Sequence, residues 1–169
     1  ASKILLISFP LNIKIIKSSA LSNCKSLKFT DDSQIETIEE YQSNNLTKIF
    51  IPQNLQNFGE NLFKYIKEIE ILPLNNRYKY VDDKYLLMKS DIKNEIYDEL
   101  VWINRTFHDA VIPNYIKKIH RFALYDIHEI SFEEGSIIET LEGNLIQSYD
   151  EIVFPPSIKV LKENTIGDG

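Results

Sequence analysis

Few residues in this chain have the chemistry of a site: three histidines, one cysteine, two acidic pairs at matching places and two Asn-x-Thr triplets. His108 and His128 stand 20 residues apart, and each is followed by an acid, Asp109 and Glu129. An imidazole beside a carboxylate is the start of a metal site or a general acid–base pair, and a hydrolase would use His108, His128 and Asp109 that way. Such a centre also needs a third ligand or an orienting partner, and the spacing assigns none, so solvated side chains on a sheet are the better reading. Asp31-Asp32 and Glu133-Glu134 occupy the same place in two copies of a repeat, which makes them turn residues before paired catalytic acids. A single Cys24 builds neither a disulfide framework nor a cysteine metal cluster, and it reads as a buried structural thiol. Asn45-Leu46-Thr47 and Asn104-Arg105-Thr106 are glycosylation acceptors if the chain is exported. Phosphate loops, His-Glu-x-x-His and Gly-x-Ser-x-Gly are all missing from the sequence. The expectation is no catalytic residue, no metal and no cofactor.

The elements that must position these groups belong to one folded class. Of 169 residues, 43% are hydrophobic and 26% charged, which suits a packed chain and argues against global disorder. Nineteen basic against 25 acidic residues give a net charge of −6, so phosphate would be repelled and nucleic acid is a poor partner. No uncharged apolar run is long enough to span a bilayer. The first ten residues have too short an apolar stretch and no cleavage pattern for a signal peptide, so the chain is expected to be an excerpt of a longer protein.

Periodicity supplies the architecture. Pro10, Pro52, Pro73, Pro113 and Pro155 each close a short apolar run, and Pro10–Pro52 and Pro113–Pro155 are both 42 residues apart. Halfway between lie the proline-poor turns Leu27-Lys28-Phe29 and Ile130-Ser131-Phe132, giving steps of 20 then 22 twice over. In each short strand alternate residues point inward: Ile7/Phe9, Ile49/Ile51, Ile69/Ile71, Ala110/Ile112 and Ile152/Phe154. Such turns bury their apolar faces only by stacking on one another, which is the logic of a solenoid.

Ile49-Phe50-Ile51-Pro52-Gln53-Asn54-Leu55-Gln56-Asn57-Phe58-Gly59 and Val111-Ile112-Pro113-Asn114-Tyr115-Ile116-Lys117-Lys118-Ile119, with the Ala20-Leu21-Ser22-Asn23-Cys24 ending, resemble the BspA-like leucine-rich-repeat family. The resemblance leaves out the stretch from about 75 to 108, and the family glycine, kept at Gly59, is replaced by Lys17, Glu39, His120 and Glu142. It implies an α/β leucine-rich-repeat solenoid over 1–169 with about seven or eight turns. A parallel sheet of short strands lines the concave side, and short helices and turns the convex side. The irregular stretch reads as a β-hairpin around Lys89–Asn94, with Trp102 and the tyrosines either packing it or forming a ligand bulge.

The outward positions of the sheet are then the binding surface: Lys28, Lys48, Phe50, Glu70, His108, Val111, His128, Ser131 and Val153, joined by Ser8 and flanked by Leu5, Leu6 and Asp150 among others. Lysines fill the early turns and acids the late ones, which suits a protein partner. The family resemblance implies a non-catalytic adhesion or interaction module at the surface of a bacterium or protist, binding a host surface protein. An intracellular scaffold is the alternative.

Overall fold

The computed structural model describes residues 9–18, 20, 24–40, 45–143, 145 and 151–167. Two compact units can be distinguished, Ala1–Tyr78 and Lys79–Gly169. Ser8, Ile7, Leu5, Leu6, Leu21 and Asp150, all part of the sequence reading, lie outside the described residues.

The first unit has two walls of parallel strands. One holds the short strands β1 (Ile15–Ile16), β3 (Thr37–Ile38) and β5 (Asn57–Phe58); the other holds β2 (Ser26–Leu27), β4 (Lys48–Ile51) and β6 (Glu68–Ile71). Their register is set by matching aliphatic inward residues, with Leu27 on Ile49, Ile49 on Ile69 and Ile16 on Ile38. Ile35, Ile38, Ile49, Ile51 and Ile66 are all essentially sealed from solvent. Alternation does this: residues one apart on a strand face opposite sides, so Lys48 and Phe50 look out while Ile49 and Ile51 look in.

The second unit repeats the plan around an irregular turn. β10 (Asp109–Ile112), β12 (Glu129–Phe132) and β14 (Glu151–Ile152) form its long-strand wall. Its short-strand wall includes β11 (Lys118–Ile119), and β13 (Thr140–Leu141) pairs with β15 (Val160–Leu161). The stretch from 78 to 103 contributes β7 (Tyr78–Val81), β8 (Tyr85–Met88) and β9 (Glu99–Ile103), ordered β11-β9-β8-β7 in one sheet. β8 and β9 pair antiparallel with a bulge at Leu86/Leu87, the hairpin read from sequence. A second reversal, not read from sequence, joins β7 to β8 through Asp82-Asp83, both left-handed (φ 54° and 51°). Aspartate tolerates that conformation, and a two-residue link of this hand matches the twist of an antiparallel pair. β9 also runs parallel to β11, Glu99 on Lys118, so it fills a short-wall slot and stitches the irregular turn into the solenoid plan.

One corner recurs through both units. The N–H groups of Ile13, Ser33, Leu55, Asn75, Ile116, Ser136 and Ile158 donate to the carbonyls of Pro10, Thr30, Pro52, Leu72, Pro113, Glu133 and Pro155 at 2.9–3.2 Å. These seven corners mark about seven turns of a leucine-rich-repeat-like β-solenoid. They also refine the proline reading: Pro73 falls one place after the acceptor Leu72, where proline's fixed φ suits the second position of a turn.

The expected short helices are not found; among the described residues there is no helix. Two-residue strands stand in their place. The reason is local: pairs such as Ile15-Ile16, Thr37-Ile38 and Val160-Leu161 are rich in β-branched residues, which lose rotamer freedom in a helix and pack well on a pleated surface. Their backbone groups are satisfied by the neighbouring turn instead, as when the N–H of Glu36 and of Thr37 donate to the Lys14 carbonyl at 2.8 and 3.0 Å.

Candidate binding faces

In the first unit, the outward side of β2, β4 and β6 gathers Lys28, Lys48, Phe50 and Glu70. The Lys48 ammonium sits 2.5 Å from Glu68 Oε1 and 2.7 Å from Glu70 Oε1, on the next strand. The hydrogen bonds that Lys48 donates to these carboxylates hold it above the usual lysine range. Lys48 and Lys28 both lie over the Phe50 ring, at 4.9 and 5.2 Å from its centroid. Phe50 is therefore half-buried under two cations, an arrangement that favours keeping the ring at the surface.

In the second unit, the outward side of β10, β12 and β14 carries two parallel columns. Asp109, Glu129 and Glu151 are in register in one, and Val111 and Ser131 are in register in the next, with Val153 following on. Val111 and Val153 are 47% and 56% exposed, large values for apolar side chains on a folded sheet. A shallow depression runs over both columns. His108 and His128 lie at its edge with rings 5.6 Å apart and perpendicular. Lys84, from the β7–β8 turn, reaches Asp109 at 2.9 Å and holds that carboxyl below its ordinary range. The sequence reading missed Lys84, because the two-residue turn that aims it went unrecognised.

The other titratable groups do not join these faces. His120 lies on the short-strand wall, its Nε2 2.6 Å from Glu99 Oε2. The three histidines therefore do not converge, and among the described residues no group of three or more His, Cys, Asp or Glu is arranged to hold a metal ion. Cys24 is buried, and burial pushes its thiol up. Trp102 is sealed (1% exposed) under Tyr80, and the Tyr85 hydroxyl donates to the Val111 carbonyl at 2.8 Å, so these two aromatics pack the irregular turn. Glu133 accepts from the Asn114 N–H at 3.0 Å, a link between turns. The positions that lack the family glycine are used for ion pairs, Lys17–Glu39 at 2.5 Å and Lys162–Glu142 at 2.6 Å.

Of the two sequon asparagines, Asn45 is exposed. Asn104 is engaged: its side-chain amide donates to the Asp83 carbonyl at 3.1 Å and its Oδ1 accepts from Thr106.

Residues 1–101 match the model of the BspA type leucine-rich repeat region, in six copies. The repeated corners continue past that match, at Pro113, Glu133 and Pro155. No curated protein matches the chain. Among solved structures, the pneumococcal vaccine antigen PcpA is similar with a TM-score of 0.65 at 21% identity, over 90% of this chain and 40% of that one. A leucine rich cell surface protein from Faecalibacterium prausnitzii A2-165 gives a TM-score of 0.49 at 16% identity, over 89% of this chain and 54% of that one. This chain thus spans 40% of the length of PcpA, and the likeness is one of fold. On the family match, joined to corners and strand register that repeat as the motif requires, the chain belongs to the BspA-type leucine-rich-repeat family.

Proposed function

We propose that the chain is a non-catalytic protein-binding module of a surface protein, acting in attachment through the outward faces of its long-strand walls. The observation that carries this reading is the exposure of Val111 and Val153 beside a charged column on a parallel sheet. Side chains on such a sheet project in parallel, which suits broad contact with another protein more than convergence on a reacting atom. Phe50 under Lys28 and Lys48 gives the first unit a comparable anchor, since aromatics are enriched where interfaces gain most of their energy. The surface setting is supported by the likeness of fold to PcpA, a vaccine antigen. In that setting the exposed Asn45 would be the better glycan acceptor and the half-buried Asn104 the poorer.

The test is capture from surface-labelled host cells by the immobilised chain. Phe50→Glu together with Val111→Asp should reduce capture by about tenfold or more, a loss typical of anchor residues. Ile15→Glu, on the short-strand wall, should leave it unchanged. Equal capture by all three would remove the long-strand faces from the reading. Antibody staining of intact against permeabilised cells separates a surface module from an intracellular scaffold.

A further inference from the structure

Across this molecule, neighbouring turns place base against acid. Lys14 meets Glu36 at 2.7 Å, Lys48 meets Glu68 at 2.5 Å, Lys117 meets Asp98 at 3.0 Å, and Lys159 meets Glu139 at 2.6 Å. The column Asp109–Glu129–Glu151 breaks this habit: three carboxylates stand in register on adjacent strands. Lys84 neutralises Asp109, but among the described residues no cation meets Glu129 or Glu151. Like charges directly opposite on a sheet are destabilising, so the fold gains nothing from the column. Alongside it runs the column of Val111, Ser131 and Val153, whose two valines the fold also leaves in solvent.

Resting on the binding reading above, we infer that the outward face of β10, β12 and β14 takes a cationic amphipathic helix of the partner protein. Lysines or arginines would lie along Glu129 and Glu151, and the apolar stripe would lie on Val111 and Val153. The spacing suits a helix. Strands repeat every ~4.8 Å, and side chains three or four apart on a helix repeat at ~5–6 Å, so one helix edge can follow each column. A bare metal ion would make no use of the valines, and among the described residues no group of three or more His, Cys, Asp or Glu is arranged to hold one.

The probe is a fluorescein-labelled, alanine-based helical peptide of about 18 residues, five turns, with one row of lysines beside one row of leucines. Binding by anisotropy is expected, weakening as salt rises from about 50 to about 500 mM. Glu129→Gln with Glu151→Gln should raise Kd by about tenfold, and Val111→Ser with Val153→Ser should also weaken binding. The Gln pair relieves repulsion, so its melting temperature should equal or exceed that of the parent, showing that it is folded. A peptide with glutamate for lysine should bind at least about tenfold less tightly. Equal binding of the glutamate peptide, or no effect of the Gln pair, overturns the inference. So does displacement of the peptide by millimolar CaCl2 with a calcium-dependent rise in melting temperature, which would make the column a cation site. If the lysine peptide fails to bind while host-cell capture still depends on Phe50 and Val111, this inference falls and the binding reading stands; failure of both assays removes both.

Discussion

At the scale of single residues, two positions are fixed by space and by buried polarity. A Cβ at Gly59 would lie 2.2 Å from the Glu40 Cα and 2.4 Å from its nitrogen, both backbone atoms that cannot swing aside. Gly59→Ala should therefore destabilise by about 1–3 kcal/mol, the usual cost of overpacking, read from urea denaturation. Arg105 is the second. Its guanidinium donates to the carbonyls of Phe122 (2.9 Å), Ala123 (3.2 Å) and Tyr125, and stacks near Trp102 and Tyr125. Burial pulls it down to about 10, still charged at neutral pH. Phe122 is buried with a left-handed φ of 62°, a conformation that costs a bulky residue energy and that the arginine clamp holds in place. Arg105→Met keeps the packing but abandons three carbonyls, and a loss of about 3 kcal/mol is expected on thermal unfolding. Neither role was visible beforehand. Gly59 was read as a family position without its reason, and Arg105 was hidden inside a glycosylation triplet.

At the scale of elements, Asp98 ties the irregular turn together. It is 1% exposed and accepts from the Ser90 N–H and hydroxyl, both at 2.9 Å, and from Lys117 at 3.0 Å. Burial alone would push its carboxyl up, but these donors hold it below the usual aspartate range. A carboxyl depressed in the folded state contributes stability above its unfolded pKa of ~3.9 and loses it as pH falls through the folded value. Asp98→Asn should cost about 2 kcal/mol at pH 7, and the gap from wild type should close below about pH 4 in melts taken across pH. The hairpin around this aspartate was legible because Tyr85-Leu86-Leu87-Met88 and Leu100-Val101-Trp102-Ile103 are apolar runs separated by a polar link. The expected helices were a different matter. Two-residue strands carry too few residues to show a period, so the short wall had no signature of its own and was filled in from the resemblance.

At the scale of the whole chain, stability resides in the inward isoleucines and very little in the many ion pairs between turns. Lys14 and Glu36 are 61% and 39% exposed, and exposed pairs of this kind contribute roughly 0–1 kcal/mol. Ile49, at 0% exposed, loses transfer energy and leaves a cavity when truncated. Ile49→Ala should cost about 2–5 kcal/mol and Lys14→Ala less than about 1 kcal/mol, compared by chemical denaturation. The same division explains what could be read early. Inward residues must repeat because each stacks on its counterpart in the next turn, so Ile49, Ile69, Ala110 and Ile130 announce the solenoid. Outward residues answer only to solvent and partners. Their columns came out of the register, but the pairing of Lys48 with two glutamates and the arrival of Lys84 at Asp109 depend on turn geometry that periodicity does not carry.

The recurring corner has a consequence for how such a chain can change length. Its acceptors at Pro10, Thr30 and Pro52, and again at Pro113, Glu133 and Pro155, advance by 20 and then 22 residues. A gene segment encoding 42 residues can therefore be duplicated or lost with the inward residues of later turns still facing inward. A slip of a single codon within a strand would turn its apolar side to water and its charges to the core. Tandem duplication in whole pairs of turns thus keeps the inward pattern, and leaves the outward residues of each new pair to vary without disturbing the core.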